Sequence, residues 1–449
     1  MKYSKEPELT GRIVLPENPQ YNAARQDFNT FFDKFPLVIV FAQETQDVIN
    51  AVKWARYNHV PIRMRSGGHN YEALSVINAG IVIDVSEMNR VKEIDRKCNT
   101  VTVQTGIRNI ALYNALWSER MVVPSGVCAT PGIAGVTLGG GHSILSRQWG
   151  LTLDNLLELE MVDADGQVIC ANANHHSDLF WASRGGGGGN FGICTTFRFR
   201  THHIDTVGFA EIIWSLNDLE SVLPIWERYT LPGTDKRLTP TLTIFSGEQS
   251  LILMQGVFLG SVKELRHLLQ PLLRAGSPQN VTIEEMSWID AATRIADSQP
   301  QSPLPFKSVG PYVYNLLPNK GIETIRHFVN EPPTSSVSVF FHGLGGEVAK
   351  VSSTATAYFQ RGALSNMSIF STWDKSEDAS LGIRWVEDFR KAMLPFTRYV
   401  YVNTQDLSIR DWPHVYYGGN FHRLTKVKAK YDPQNVFRFP QSIPPSSEC

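Results

Sequence analysis

The sequence predicts an α+β fold, on three observations. Helix-period and strand-period segments intermingle up to about residue 205, without the regular strand–helix–strand rhythm of a doubly wound sheet. From about 205 to 398 the pattern shifts to alternating strands such as 238–245 and 251–258, interleaved with helical stretches such as 262–273. In that last stretch Leu265, Leu268, Leu269 and Leu272 share one side, so the region reads as an antiparallel sheet covered by helices on one face. Third, 449 residues with 42% hydrophobic and 19% charged positions suit two large domains, or one domain with an inserted second.

Taken from the N-terminus, residues 1–35 read as a leader with helical character, since 21–32 carries a loose apolar stripe. Residues 37–41 read as a buried strand, and 45–57 as a helix with Val48, Val52 and Ala55 on one face. A short strand at 60–62 runs into Arg63-Met64-Arg65-Ser66-Gly67-Gly68-His69-Asn70-Tyr71. The paired glycines let the backbone turn sharply and expose its N–H groups. A run of amides flanked by Arg63 and Arg65 suits a diphosphate. His69 sets an imidazole nitrogen beside whatever the loop holds. Taken alone, a Gly-Gly-His is more often a tight turn with a solvated histidine. Strands follow at 80–85 and 100–105, and a helix at 107–119.

Residues 123–132, which include Gly126, Cys128 and Gly132, run into 135–142, with Gly139, Gly140 and His142. A segment so rich in Gly and small residues is expected to form neither a stable helix nor a regular strand. It suits backbone pressed against a flat ligand. The Cys128 thiol there can act as a nucleophile if its pKa falls from the free value of about 8.5; a buried inert cysteine is the alternative. A strand at 156–163, a hairpin turn at Asp165-Gly166, a strand at 168–170 and a short helix at 178–182 come next. Then Gly187, Gly189 and Gly192 satisfy G-x-G-x-x-G, with Glu211 near the expected acidic distance. That fingerprint must open a helix, whereas 196–200 alternates like a strand, so a different kind of cofactor loop fits better.

Several classes are excluded by composition. A formal net charge of -1 and the lack of any long charge block give no support to nucleic-acid or anionic-membrane binding. The N-terminus has no apolar signal region, and apolar runs such as 36–42 are too short to span a bilayer. The five cysteines are scattered, with no CxxC pair, which suits a reducing compartment and a cytoplasmic location; export by a route without a standard signal stays open. His175-His176 and His202-His203 lack the i,i+4 spacing of a helical metal site, and no metal is expected. The sequons at Asn280 and Asn366 carry no weight without a secretory context.

The ordered set of Arg65-Ser66-Gly67-Gly68-His69, Gly126-Val127-Cys128 with its glycine-rich tail, and Gly187-Gly188-Gly189-Asn190-Phe191-Gly192 resembles the berberine bridge enzyme-like FAD-linked oxidases. These have the vanillyl-alcohol oxidase (PCMH-type) fold. Residues 416–424 and 428–437 resemble that group's C-terminal segment, and the likeness is close over 35–205 and 398–443 and diffuse between. It implies a PCMH-type FAD-binding domain of two α+β subdomains at 1–205 (core about 33–204) and a substrate-binding domain at 206–400. A C-terminal berberine-bridge-type segment at 401–449 would return to the FAD domain. It also implies a bicovalent FAD, with His69 on the 8α-methyl and Cys128 on ring carbon 6. Arg65, Ser66, Gly67, Gly68 and Asn70 would meet the diphosphate. Gly126, Gly132, Gly139, Gly140, His142, Gly189, Asn190, Gly192 and Ile193 would lie along the rest, with Tyr417 and Asn420 closing over it.

For catalysis the resemblance implies residues from two strands. Along 365–372 the even positions Asn366, Ser368 and Phe370 share a face, and Ser368 is the counterpart of a catalytic or polar side chain in relatives; polar core filler is the alternative. Trp373 is read as core packing rather than a sugar platform. Many relatives have Tyr-x-Asn-Tyr-x-Asp where this chain has Tyr401, Asn403 and Asp406 but Thr404 for the second tyrosine. A phenol, with pKa near 10, serves as base only if its phenolate is stabilised, and threonine cannot serve at all. Tyr401, Ser368 and Asn403 therefore carry the catalytic expectation, and Pro131 leaves the choice between oxidase and dehydrogenase open. The expected reaction takes a secondary alcohol or carbohydrate, passes hydride to flavin N5 and reoxidises with O2 to H2O2. The alternatives are transfer to another electron acceptor, an oxidative bond-forming reaction, or a flavinylated binding protein that has lost its base.

Overall fold

The computed structural model describes residues 7–446 and builds them into three large sheets and a two-stranded ribbon. The first sheet carries Arg12–Val14, Val38–Phe41, Ile81–Asp84 and Ile62–Arg65 in that spatial order, the last three parallel. Val38–Phe41 and Ile81–Asp84 are buried throughout, which is why they read as unbroken apolar runs. Helix Thr45–Tyr57 packs with them in one core through Val48, Ala51, Val52 and Ala55. Asp47 starts that helix by accepting the amides of Gln43 at 2.9 Å and Glu44 at 3.2 Å. The second sheet is antiparallel: Val91–Asp95, Thr100–Gln104, Ile193–Arg200, Leu156–Val162, Val168–Asn172. Ile193–Arg200 follows the glycine run directly, so the G-x-G-x-x-G opens a strand and no helix.

The third sheet has nine antiparallel strands, from Thr206–Ser215 to Arg398–Val400. Strand alternation sorts its two faces. Ile212, Trp214, Leu242 and Phe341 share a core with residues of helices Leu219–Glu227, Val262–Leu268, Asn319–Asn330 and Ala379–Met393. Val207 and Phe209 point the other way and pack on helix Trp288–Asp297, so one helix does cover part of the opposite face.

Four sequence expectations change. The 21–32 stripe yields only the single turn Tyr21–Ala24. Beyond it the chain is spent on long-range bonds: Phe28 donates to the Gly68 carbonyl at 2.8 Å, and Asn29 spans the carbonyls of Tyr71 at 2.7 Å and Phe306 at 2.9 Å. Ile133–Gly139, expected to be irregular, is a helix. Interior glycines cost about 1 kcal/mol each, but burial of Ile133 and Leu138 returns about 1.5–3 kcal/mol apiece. The short strand shifts to Ile62–Arg65, which puts Arg63 and Arg65 in the sheet instead of the loop. The helix at 262–273 is also broken into Val262–Leu268 and Gln270–Leu273, where Pro271 removes a donor.

The C-terminal segment packs back onto the first half of the chain. Helix Phe421–Tyr431 contacts helix Ser177–Ala182, and the buried Lys428 ammonium bonds the Asn190 carbonyl at 2.6 Å and Asp432 at 2.6 Å. A second buried cation joins three distant segments. Lys307 Nζ meets Glu72 at 2.5 Å and Asp406 at 2.8 Å. Removing it leaves two buried carboxylates unpaired, so Lys307→Met is expected to lose about 3–5 kcal/mol in urea unfolding at neutral pH. A change under 1 kcal/mol would show that the cluster carries little.

Glu227 is buried and, among the described residues, takes only the Leu317 amide, at 3.2 Å; burial pushes its carboxyl up to about 8. A folded value above the unfolded 4.5 means that this group favours the fold below pH 4.5 and loses that contribution as pH rises towards 8. The stability of Glu227→Gln relative to the parent should therefore grow with pH between 5 and 8, by at most about 1.4 kcal/mol per unit. A difference independent of pH would contradict the burial argument.

Candidate active site

The glycine loops meet the third sheet around one cavity of about 660 Å³. Its lower wall is made by 66–71, 126–128, 131–132, 134–136, 187–190 and 192–193, and its opposite wall by strands of the nine-stranded sheet and by 401–405. The first two loops interlock so closely that a Cβ on Gly67 would collide with the Gly132 amide, and one on Gly132 with Ser66 Oγ. Only glycine allows that approach. The amides of Gly67, Gly68, His69 and Asn70 have no acceptor among the described residues, and a Cβ at Gly135 or Gly188 would enter open space in the cavity. Unpaired N–H groups in a trough of missing side chains fit a large, flat, anionic-tailed group such as FAD.

Ser66, Gly67, Gly68, His69, Asn70, Gly126, Cys128, Gly132, His142, Gly189, Asn190, Gly192 and Ile193 all line this cavity, as do Tyr401, Asn403 and Ser368. Four others are placed differently. Gly139 and Gly140 lie behind the wall, against Asn403 and Tyr358. Tyr417 donates to the Gly186 carbonyl at 2.9 Å, and Asn420 to the carbonyls of Ser353, Thr356 and Ala357; both brace neighbouring loops without reaching the cavity. Arg65 touches the cavity, but its guanidinium is bound to Asp84, lies 3.7 Å from Asp27 and donates to the Ala24 and Gln26 carbonyls. Arg63 is tied to the Arg438 carbonyl. The expected arginine pair beside the diphosphate loop is thus structural, and the loop's own amides are its electropositive groups.

The His69 ring is stacked on Phe28 at 4.1 Å and hydrogen-bonded through Nε2 to Thr130 Oγ1 at 3.0 Å. Burial, aided by Arg108, brings its pKa down to about 4, so the imidazole is neutral and nucleophilic. Cys128 goes against expectation: burial pushes its thiol up to about 11, and no cation is among the causes of its shift. The protein alone does not make it a thiolate.

Tyr401 is stacked on His142 at 4.2 Å, and its oxygen accepts the Gly141 amide at 2.8 Å and the Asn403 amide group at 3.0 Å. Burial raises its pKa to about 12 against the opposing pull of those two donors. Thr404, in place of the relatives' second tyrosine, turns its hydroxyl back to the Tyr401 carbonyl at 2.9 Å. Trp373 is buried and packs edge-on against Phe31.

Sequence reasoning missed most of the opposite wall. Register places Phe245, Ser338, Phe370 and Ser308 in one row across the sheet, and Thr243, Phe340 and Ser368 in the next. Hydroxyls and phenyl rings thus alternate in both directions. Strand alternation gave the faces, but not which face met the cavity. Apart from the neutralised Arg65, no Asp, Glu, Lys or Arg lines the cavity. Among the described residues no cluster of His, Cys, Asp or Glu could hold a metal ion, and no helix is long and apolar enough to cross a membrane.

Comparison with known proteins agrees with this geometry. A family model of FAD-binding domains matches residues 36–172, and one described as berberine and berberine-like matches 400–444. The chain is 40% identical to the uncharacterized FAD-linked oxidoreductase YgaK of Bacillus subtilis, over 98% of both chains. It is 28% identical to berberine bridge enzyme-like 4 of Arabidopsis thaliana, over 91% of this chain and 85% of that one. The structure of Physcomitrella patens BBE-like 1 superposes with a TM-score of 0.90 at 29% identity, over 97% of each chain. Phl p 4, a grass pollen allergen with glucose dehydrogenase activity, gives 0.87 at 26%, also over 97% of each. With its FAD-type loops, its nine-stranded sheet and a returning C-terminal segment, the chain belongs to the berberine bridge enzyme-like FAD-linked oxidoreductases.

Proposed function

We propose that the protein oxidises a neutral hydroxylated substrate, a secondary alcohol or a carbohydrate, with an FAD attached to both His69 and Cys128. On this reading the residues up to 205 hold the cofactor, 206–400 hold the substrate, and 401–449 close the site. FAD, when bound, supplies the hydride acceptor and passes the electrons on to dioxygen or another acceptor.

The observation that carries the reading is Tyr401, a phenol facing a neutral cavity with two N–H donors on its oxygen. Those donors stabilise the phenolate where a cation would otherwise be needed, and they act more strongly in a buried site than in water. Tyr401, once deprotonated, takes the substrate hydroxyl proton as the adjacent C–H departs as hydride. Asn403 is itself held by the Gly135 carbonyl at 3.0 Å, which fixes its amide group towards Tyr401. Ser368, with only a 3.5 Å contact to Asn366, is a hydrogen-bonding group for substrate and no base. The rows of hydroxyls and phenyl rings support a ligand that has both hydroxyls and an apolar face. The likeness to a protein with glucose dehydrogenase activity supports the same class.

Tyr401→Phe keeps the ring stack and removes the base. The turnover rate should fall about 10²–10⁴-fold, and the rise in rate with pH expected of the native chain should disappear. Unchanged anaerobic flavin bleaching by the best sugar or alcohol would exclude Tyr401 as base; no bleaching of the native chain by any of them would favour a binding protein instead. Mixing the reduced native enzyme with dioxygen separates oxidase from dehydrogenase.

The attachment is read separately. Acid-denatured native chain should keep yellow colour and the mass of FAD, as should His69→Ala and Cys128→Ala singly, while the double variant releases its flavin. Release from the native chain would remove both tethers from the reading.

A further inference from the structure

Thr130 belongs to the cysteine loop, yet its hydroxyl reaches the histidine of the other loop, 3.0 Å from His69 Nε2. It does not line the cavity, whereas His69 does, so it meets the imidazole from outside the site. Its platform is fixed. The buried Asn109 side chain donates to the Cys128 carbonyl at 2.9 Å and takes the Ser125 hydroxyl at 2.5 Å; the Asn109 and Ile110 amides hold the carbonyls of Pro131 and Ala129, each at 3.1 Å. Phe28 covers one face of the imidazole and fixes its plane, and the Gly68 carbonyl anchors Phe28 in turn. Of the two ring nitrogens, Nδ1 has no protein partner among the described residues.

A neutral imidazole carries one proton, and only the other nitrogen is nucleophilic. Which nitrogen that is depends on the hydrogen bond made by its neighbour. We propose that Thr130 is a positioning residue for flavin attachment: its oxygen accepts the Nε2–H of His69 and so leaves Nδ1 as the nitrogen that bonds the 8α-carbon. The inference rests on the reading of His69 as an attachment point. In the step itself the Nδ1–C8α bond forms, one C–H bond of the methyl group breaks, and the Nε2 proton is lost. The two electrons and two protons released pass to the isoalloxazine and from it to dioxygen, which leaves as hydrogen peroxide. Positive charge builds on the imidazole as the bond forms, so the Nε2–H to Thr130 bond strengthens as the reaction proceeds.

The test uses full-length chain made in a riboflavin-requiring host starved of riboflavin, with Cys128→Ala as parent so that only His69 can attach. FAD is added, non-covalent binding is followed by flavin fluorescence, and covalent yield is read at intervals by acid precipitation and mass. Thr130→Val, which keeps the shape and lacks the acceptor, should bind FAD but attach it about tenfold more slowly than the parent, the worth of one hydrogen bond. Thr130→Ser should restore the rate to within about twofold of the parent. NMR of the flavinyl peptide from the parent should show substitution at Nδ1. A Thr130→Val chain that attaches bound FAD at the parental rate, or a parental peptide substituted at Nε2, would overturn the proposal. A parent that binds FAD and never attaches it would overturn the attachment reading, and this proposal with it.

Discussion

Lys307 holds the molecule in register. Its ammonium joins Glu72, three residues after His69, to Asp406, two residues after Thr404, from a strand of the large sheet. One cation between two buried carboxylates leaves a net negative charge. Burial raises the Glu72 pKa, Lys307 holds the Asp406 pKa below its usual range, and one Asp406 oxygen has no partner among the described residues. Such a cluster is no stronger than well-packed apolar side chains would be. What it adds is position. Slipping any of the three segments would strand a charge in the interior. Neutral bonds fix the same register: Asn70 to Gln405 at 2.9 Å, and Asn29 between Tyr71 and Phe306. The loop carrying His69 is thereby tied to the sheet it faces and to the segment carrying Tyr401.

The cavity inside that frame has almost no free charge, and this changes how its dipoles act. Arg65 stands one residue before the diphosphate-type loop, but Asp27 and Asp84 neutralise it. The positive potential left at the loop comes from backbone amides, whose positions are set by the fold and not by side-chain rotamers. The same holds at Tyr401, where a backbone N–H and a braced asparagine stand in for a cation. Such fixed dipoles need no reorganisation when charge develops.

What the sequence made legible was local or ordered along the chain. Helix Thr45–Tyr57 matched its apolar period to the residue, and the alternating strands expected at 238–245 and 251–258 were found there, the first running on to Gly247. The three glycine motifs in sequence order identified the family, because each needs backbone in close contact with something flat. Apart from the break at Pro271, the misses were long-range. No local pattern shows that Arg65 is taken by Asp27 and Asp84, or that Asn420 turns towards 353–357. Helix Ile133–Gly139 defied its own propensity, since its neighbours in the core decide it. Tyr417 stood in the right motif and still stops short of the cavity, so a motif match locates a backbone more reliably than a side chain.

The threonine at 404 is where family pattern and physical reading separate. Had the base been lost there, the surrounding structure would have little reason to hold a phenolic oxygen under two N–H donors. Thr404 instead folds its hydroxyl onto the Tyr401 carbonyl and helps fix the short turn Val402–Thr404 that aims Asn403 at Tyr401. On the proposed reading the base is moved by one turn of chain, and the group at its former position has become part of its support. A phenol whose pKa burial has raised to about 12 holds its proton at neutral pH. It must therefore lose that proton before catalysis, or receive the substrate proton only as another group takes its own. The buried hydrogen-bonded group of Tyr312, Tyr358 and His142 lies beside it, with Tyr312 and Tyr358 oxygens 2.8 Å apart. His142 is stacked on the phenol and not bonded to its oxygen, so it shields the ring from water and relays no proton from it. On the proposed reading, the proton that Tyr401 handles leaves through the cavity that Tyr401 lines.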